Sequence, residues 1–498
     1  MIRHRLLSAA LGCCAALVSV LSPAAHAQGP SREELPAPVL AALQRAQVPP
    51  SAFSAVVAPV SGAEARLRHQ SAAPVNPASV MKLVTTYAAL DLLGPEHTWR
   101  TRFYTDGAVD GGALRGNLYI RGGGDPKFVL ERIQAAFEAL QTQGARVILG
   151  DLVLDHSAFD LPPSDPGAFD GEALRPYNAT PDALLVNFKS VILKFVPDPA
   201  AGVARVLSEP PMAGMQIDAT VPLANAACGD WRGALRARFD DPARIYFEGR
   251  YPSRCGEGQW PVAYQEPSSY AARALEGLWR SSGGLLTGRV REGLVPAGAT
   301  LLLDAPSLPL SEILLDVNQW SNNVMAQQVF LTLGQLAPQA TPLPGAGPLP
   351  LPQPRSGFAQ ARQVLLGWWQ RTFGPAVPAP VLENGSGLSR DERITPEALA
   401  LLLRHAARHP RAEAFVASLP VAGVSGTAKR YASDPRNPAN GRAWLKTGTL
   451  RDVTGIAGYV NAANGTRYVL VAFVNHPNAG AARPALDALV EWTARLPD

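Results

Sequence analysis

Lysine is scarce in this sequence. Only six of the 498 residues are lysine, against 39 arginines, so a lysine at a chemically suggestive position is informative. Charged residues make up 17% of the chain and the formal net charge is +4, which gives no basis for predicting nucleic-acid binding. The length indicates two or three domains, and a hydrophobic content of 47% is sufficient for large cores.

Cysteine is also rare. Of four cysteines, two lie in the first fourteen residues, and only Cys228 and Cys255 occur further along the chain. Neither belongs to a C-x-x-C pattern or lies beside a group of histidines, so no metal site is predicted. In an oxidising compartment a disulfide between the two is favoured, and two free buried thiols are the alternative.

Long apolar runs are absent except at the N-terminus. Two arginines in the first five residues precede the apolar stretch 6–21, and a small-x-small sequence follows at 25–27. This pattern predicts a cleavable export signal over residues 1–27, and lipoprotein processing at Cys13 is the alternative. No later run is long enough to span a bilayer, so we expect an exported protein without a stable membrane anchor.

Three short motifs carry the chemistry. Each occurs once and in this order: Ser79-Val80-Met81-Lys82, Ser321-Asn322-Asn323 and Lys446-Thr447-Gly448. The first opens an apolar helix, the second follows a helical run, and the third lies on a predicted strand beside an antiparallel partner. Such a trio is typical of active-site serine enzymes that react with penicillin.

The spacing of the first motif suits nucleophilic catalysis. Positions three apart on a helix share a face, so Lys82 is expected beside the Ser79 hydroxyl. Burial can lower the pKa of a lysine from about 10.4 by several units. A neutral Lys82 can then accept the serine proton as Oγ attacks a carbonyl. We expect Ser321 to relay a proton to the leaving amine.

The remaining motif residues predict a binding pocket. Asn323 is expected to hold the substrate amide, and Lys446 with Thr447 a carboxylate. Backbone N–H groups of Ser79 and Thr449 are expected to form the oxyanion hole, where each donor contributes roughly 3 kcal/mol in the transition state.

The residue pattern between the first and second motifs differs from that of the rest of the chain. Short β-like runs separated by Gly, Pro and Asp extend from about residue 101 to 300 and predict an inserted strand-rich region. Near the C-terminus the pattern predicts three strands, with a turn at Asn464-Gly465 between the last two, and then a closing helix.

With these residues in hand, the chain resembles the class C low-molecular-mass penicillin-binding proteins, the D-alanyl-D-alanine carboxypeptidase/endopeptidases of the penicillin-binding protein 4 type. The resemblance includes "GNLYIRGGGDP", "RPYNATPDALLVNF", "WSNNVMAQQVFLTLG" and "ENGSGLSR". It implies an α/β (α+β) fold. A transpeptidase or serine β-lactamase-like catalytic domain would comprise 28–98 and 301–498, and two smaller strand-rich domains would lie within 99–300. Gly448 completes the pocket in this resemblance.

The resemblance also implies a function. Such enzymes act in the periplasm, remove the terminal D-alanine from peptidoglycan stem peptides and cleave D-alanyl–meso-diaminopimelate cross-links through an acyl-enzyme, here on Ser79. They are acylated by β-lactams and use no cofactor. Asp155, Phe159 and Arg390 are implied to contact the diaminopimelate side chain. The alternative is that Asp155 only ends a strand and Arg390 only holds a loop. The oligomeric state stays open between a monomer and a homodimer.

Two positions depart from the family pattern. Asn384 stands where an acid is common, and Arg451 where a smaller polar residue is expected, so substrate preference is expected to change without loss of catalysis. One alternative function is a serine β-lactamase, which needs a glutamate positioned for deacylation, and the sequence identifies none. The other is a catalytically weak penicillin-binding scaffold, against which the intact motifs argue.

Overall fold

The computed structural model describes residues 33–62, 64–338 and 355–497, so the predicted export signal at 1–27 lies outside the described residues. The helices are α1 (Ala37–Arg45), α2 (Lys82–Leu93), α3 (Leu130–Thr142), α4 (Trp231–Leu235), α5 (Pro267–Ser281), α6 (Leu310–Gln319), α7 (Asn323–Gly334), α8 (Phe358–Phe373), α9 (Pro396–Ala406), α10 (Ala412–Ala417) and α11 (Arg483–Ala494). Within these described ranges, no helix has the length and apolarity needed to cross a membrane.

The strands are β1 (Phe53–Pro59), β2 (Leu67–His69), β3 (Arg100–Thr105), β4 (Ala108–Asp110), β5 (Ala113–Arg115), β6 (Leu118–Arg121), β7 (Val147–Ile148), β8 (Leu152–Asp155), β9 (Ser190–Asp198), β10 (Val203–Glu209), β11 (Gln216–Ile217), β12 (Thr220–Ala224), β13 (Ala237–Asp241), β14 (Arg244–Phe247), β15 (Tyr251–Pro252), β16 (Gly258–Ala263), β17 (Leu285–Leu286), β18 (Val290–Glu292), β19 (Thr300–Pro306), β20 (Ala443–Leu450), β21 (Val453–Asn461) and β22 (Arg467–Asn475).

One antiparallel sheet joins the two ends of the chain. Its strand order is β2-β1-β22-β21-β20, with every neighbouring pair antiparallel. The sequence prediction of three C-terminal strands followed by a helix is confirmed, and Gly465 lies in the connection between β21 and β22 with a φ of 80°. Strand β20, which carries the third motif, is an edge of this sheet.

Helices cover both faces of the sheet. On one face α1 and α11 pack against apolar side chains of β1, β21 and β22. On the other face α2, α6, α7, α8 and α9 form the larger core. Helix α2 is buried from Lys82 to Leu90 because helices surround it as well as the sheet. Lys82 therefore lies inside the protein and does not extend to the surface.

The region between the first two motifs is rich in strands, as the sequence predicts. It contains two five-stranded sheets, ordered β18-β8-β6-β3-β19 and β15-β12-β10-β9-β16, and two smaller ones, ordered β17-β7-β5-β4 and β11-β14-β13. The chain enters through β3 and leaves through β19, which pair with each other. Strand β19 runs across the predicted boundary at 300/301, and the division into domains stays a prediction.

The favoured pairing of the two later cysteines is confirmed. Cys228 and Cys255, 27 positions apart, form a disulfide within the strand-rich region. Cys255 packs against the core shared by the strands and helices of that region. The bridge thus belongs to a core different from the one that holds the first motif.

Replacing both bridge cysteines with serine is expected to lower the stability of this region. In the chain-entropy view, closing a loop of this size stabilises by roughly 3 kcal/mol. Heat unfolding of the double variant should show a lowered transition, while labelling by a fluorescent penicillin should persist. An unchanged transition, or loss of labelling in folded protein, would contradict this account.

Candidate active site

Ser79 lies in a tight turn that leads into α2. A short 3-10 helix, Ala78–Met81, precedes α2 directly, and the Asn76 side chain accepts the N–H of Ala78 at 2.8 Å. Ala78 has a φ of 48°, a region that residues with a side chain seldom adopt. Such strain is typical of functional turns whose surroundings hold them in place. Gly387 packs closely against the turn at Ala78. A Cβ on Gly387 would lie 1.9 Å from the Ala78 carbonyl oxygen, so only glycine fits at this position.

The Lys82 amine lies 3.0 Å from Ser79 Oγ. It also donates to Asn323 Oδ1 at 2.6 Å and to the Ser386 carbonyl at 2.5 Å. The side chain is fully buried. Burial lowers the pKa of Lys82 to about 7, and the charge of Glu392 opposes this shift. A substantial neutral fraction near pH 7 suits a general base.

The second motif forms the turn between α6 and α7. Asn322 caps α7, because its side chain accepts the N–H of Met325 at 3.1 Å, so the middle residue serves the helix. Ser321 has a φ of 59°, and its Oγ accepts from the Lys446 amine at 2.9 Å. Asn323, the first residue of α7, contacts Lys82 as described above. The two lysines of the trio are thereby connected to the same turn.

Lys446 is fully buried on β20. Its two hydrogen bonds go to neutral oxygens, Ser321 Oγ at 2.9 Å and the Thr447 carbonyl at 2.8 Å. Burial, followed by the charges of Lys82 and Arg430, lowers the pKa of Lys446 well below its ordinary value. An arriving carboxylate would favour the charged amine, so this is a suitable anion pocket. The Thr447 hydroxyl lies 2.7 Å from that of Thr427.

Gly448 allows β20 to approach the turn that carries Ser79. A Cβ on Gly448 would lie 2.7 Å from the Pro77 carbonyl oxygen and 3.1 Å from the Ser79 backbone nitrogen. The next residue, Thr449, is exposed and lies on the edge strand. This close approach fits the expected oxyanion hole between Ser79 and Thr449, because both N–H groups belong to the two backbones that meet here.

Sequence reasoning missed one buried acid. Glu392 is 0% exposed, and its Oε1 accepts backbone N–H groups from Glu383 at 3.0 Å, Asn384 at 3.0 Å and Gly385 at 2.9 Å. Its polar, charged sequence neighbours suggest a surface loop, so no local signal indicated burial. The burial of Ser386 was also missed, as was the contact of Thr427 with Thr447, which are 20 positions apart in the chain.

The expectation for Asp155 needs correction. Asp155 is 2% exposed, and its two carboxylate oxygens accept the backbone N–H groups of Ser157 at 2.9 Å and Val295 at 3.0 Å. The Arg121 guanidinium lies 3.9 Å away. The carboxylate fixes the end of β8 and is closed to a substrate ammonium. Phe159 is 8% exposed and packs against α7, so it belongs largely to the core.

Arg390 is accessible. It pairs with Asp452 at 3.0 Å, and its guanidinium lies 4.9 Å from the centre of the Phe169 ring. This pair links the loop after α8 to the turn between β20 and β21, where Arg451 is exposed. Asn384 holds its loop, since its Oδ1 accepts the backbone N–H of Ser386 at 2.9 Å.

Residues 37–496 match the profile of the D-Ala-D-Ala carboxypeptidase 3 (S13) family. The chain belongs to this family. A D-alanyl-D-alanine carboxypeptidase of Actinomadura sp. (strain R39) is 29% identical over 490 residues, covering 93% of this chain and 84% of that protein. The D-alanyl-D-alanine carboxypeptidase DacB of Haemophilus influenzae is 25% identical over 403 residues, covering 81% of each.

Solved structures agree on the fold of this D-Ala-D-Ala carboxypeptidase family member. Penicillin-binding protein 4 from Haemophilus influenzae superposes with a TM-score of 0.70 at 22% identity, covering 91% of this chain and 99% of that one. A predatory endopeptidase from Bdellovibrio bacteriovorus gives a TM-score of 0.51 at 16% identity. The predicted family, fold class and enzyme class are confirmed: this is a serine-type D-Ala-D-Ala carboxypeptidase with an α/β fold.

Proposed function

We propose that this carboxypeptidase acts on peptidoglycan in the periplasm, through an acyl-enzyme on Ser79. It removes the terminal D-alanine of stem peptides and cleaves D-alanyl–meso-diaminopimelate cross-links. The observation that carries the proposal is the fully buried Lys82 amine 3.0 Å from Ser79 Oγ. The apolar N-terminal stretch supports export, because it is followed by a small-x-small cleavage sequence.

Neutral Lys82 accepts the Ser79 proton while Oγ attacks the carbonyl of the penultimate D-alanine. The N–H groups of Ser79 and Thr449 stabilise the resulting oxyanion. The C–N bond then breaks, and the proton that Lys82 accepted is passed on to the departing amine through the Ser321 hydroxyl, which is hydrogen-bonded to Lys446. The product is a serine ester, which water hydrolyses to regenerate Ser79.

Both leaving groups fit one anion pocket. A terminal D-alanine and the cross-linking D-centre of diaminopimelate each carry a carboxylate beside the amide nitrogen that is released. Lys446 and Thr447 can bind that carboxylate in either case. Residues 420–422 already bridge the first residues of β20, up to Leu445. The edge of β20 beyond Leu445 can pair with the extended stem peptide, as exposed strand edges do with bound peptides. A β-lactam offers the same carbonyl and carboxylate, which supports acylation of Ser79 by these drugs.

We assign recognition of the diaminopimelate side chain to the exposed pair of Arg390 and Asp452. The end of that side chain carries an ammonium and a carboxylate, and charge-assisted contacts with both give specificity. Arg390 and Asp452 are exposed and adjacent, so they can rearrange to bind the two groups. Asp155 takes no part in this proposal, since its carboxylate is buried and satisfied by backbone donors.

Purified cross-linked and pentapeptide muropeptides test the proposal, with products identified by mass. We expect loss of one D-alanine from pentapeptides and conversion of cross-linked dimers to monomers. Arg390→Ala should lower kcat/KM by about 10- to 150-fold for peptides with diaminopimelate at the third position, because a charge-assisted contact is worth roughly 1.5–3 kcal/mol. The same substitution should change kcat/KM little for peptides with a plain aliphatic residue at the third position.

Asp155→Asn is the matched control for this experiment. As a buried structural change, it should lower the unfolding temperature and affect both peptides to the same extent. If Arg390→Ala lowered kcat/KM equally for both peptides, the side-chain pocket would have to lie elsewhere. Unprocessed muropeptides of both kinds would refute the proposed function itself.

A further inference from the structure

Glu392 is a buried acid that the proposed mechanism does not use. Its Oε1 accepts the three consecutive N–H groups of residues 383–385, at 2.9 to 3.0 Å. Its Oε2 is buried and has no hydrogen-bond partner among the described residues. Several backbone N–H donors on one carboxylate favour its charged form. The site therefore contains a buried carboxyl group in addition to its two buried amines.

The loop that Glu392 holds also positions Lys82. Ser386, the residue after the three anchored ones, accepts from the Lys82 amine through its carbonyl at 2.5 Å. The Thr85 hydroxyl of α2 donates to the Gly385 carbonyl at 2.6 Å, so the loop is tied to the same helix as Lys82. The Asn384 amide adds bonds to Ser386 but no charge. In this loop the buried negative charge comes from Glu392.

Glu392 is the charged group that acts on the pKa of Lys82, and it raises this pKa against the larger lowering by burial. The charge of Lys82 in turn lowers the pKa of Lys446, as does that of Arg430. The pKa of Glu392 is raised overall, because burial outweighs the lowering by its three backbone hydrogen bonds and by Lys82. Without the acid, Lys82 would be left with burial, which disfavours its protonated form.

We propose that Glu392 is the positioning residue of Lys82: its three backbone hydrogen bonds fix the loop whose Ser386 carbonyl orients that amine, and its carboxylate supplies a negative charge beside this loop. This inference rests on the proposed role of Lys82 as the base. It assigns Glu392 no contact with substrate. The buried amine is thereby kept basic enough to take the Ser79 proton.

Glu392→Gln tests the charge, because the amide oxygen can still accept the three N–H groups. The readout is the second-order rate of acylation by a fluorescent penicillin between pH 5 and pH 9. For the unaltered enzyme the rate should rise through the pKa of Lys82, which is about 7. The variant should shift this midpoint to lower pH by about one unit, since an opposite charge nearby shifts a pKa by roughly 1–3 units. Its plateau rate should fall several-fold because the base is weaker.

Two further variants separate charge from structure. Glu392→Asp keeps the charge with a shorter reach, so the midpoint should stay near that of the unaltered enzyme while the plateau rate falls. Glu397→Gln removes an exposed acid from α9 that is paired with Arg68, and it should move neither quantity. These comparisons remain informative even if Glu392→Gln folds poorly, since a midpoint shift in Glu392→Asp would by itself overturn the proposal.

Other outcomes also decide the matter. A folded Glu392→Gln protein with an unshifted midpoint would show that the charge does not act on Lys82. A longer-lived penicillin adduct with unchanged acylation would make Glu392 a deacylation residue and overturn the proposal. Unimpaired acylation in Lys82→Met would instead refute the proposed function, whatever Glu392 does, so the two failures are distinguishable.

Discussion

Replacing Ser79 with alanine is expected to abolish covalent labelling by a fluorescent penicillin and to reduce D-alanine release by about 10⁶-fold, the scale seen when a serine nucleophile is removed. The alanine has no Oγ, so no ester can form and Lys82 has no proton to accept. Gel fluorescence and intact mass measure the label. In the unaltered protein, a peptide map should locate the adduct on Ser79.

Ser433→Ala serves as the matched control, because Ser433 is exposed and lies outside the three motifs. This variant should label normally. We expect the adduct on the unaltered protein to persist for minutes or longer. Rapid hydrolysis of the drug would favour the serine β-lactamase alternative, and a label on another serine would remove the basis of the proposed mechanism.

Replacing Lys82 with methionine is expected to reduce acylation by about 10²–10⁴-fold, the usual contribution of a general base, while raising the unfolding temperature. Methionine has a similar length without a charge. The pKa of Lys82 is lowered from 10.5 to about 7 in the folded protein, so the unfolded state binds more protons between these values. The free energy of unfolding therefore rises with pH across this window. Below pH 7 the buried amine is protonated and its destabilising effect on the folded state is at its maximum.

The stabilisation by Lys82→Met should consequently be largest near pH 6 and should vanish above about pH 10.5. Thermal unfolding at pH 6, 8 and 10 measures it. Lys194→Met is the control, since this lysine is 41% exposed in its side chain and pairs with Glu257. A lower unfolding temperature for Lys82→Met at pH 6 would mean that Asn323 and Ser386 stabilise the ammonium more than burial disfavours it.

The local elements of the fold could be predicted from sequence where the pattern is itself local. The apolar character of α2 on every side predicted a buried helix, and the alternation and turn residues near the C-terminus predicted β20, β21, β22 and α11. The edge position of β20 could not be predicted. It depends on β1, nearly 400 residues earlier, entering the sheet beside β22.

The contacts between residues of the active site could not be predicted from local sequence patterns either. Ser321 and Lys446 are 125 positions apart, and their hydrogen bond exists because the turn before α7 meets β20. The family resemblance implied that Asp155 contacts the substrate, but its carboxylate accepts the backbone N–H of Val295 and lies near Arg121. Glu392 looked like a surface acid and is buried.

The sequence by itself determined the reaction class, because each chemical role demands a particular side chain and the serine–lysine spacing follows from helix geometry. It also determined the family and the cysteine pair. Only the tertiary structure decided which polar groups are buried, which acid anchors the loop that contacts Lys82, and which charges remain open to a substrate. Burial and charge proximity depend on residues distant in the chain, and these two quantities set the pKa of a base and the accessibility of a binding group.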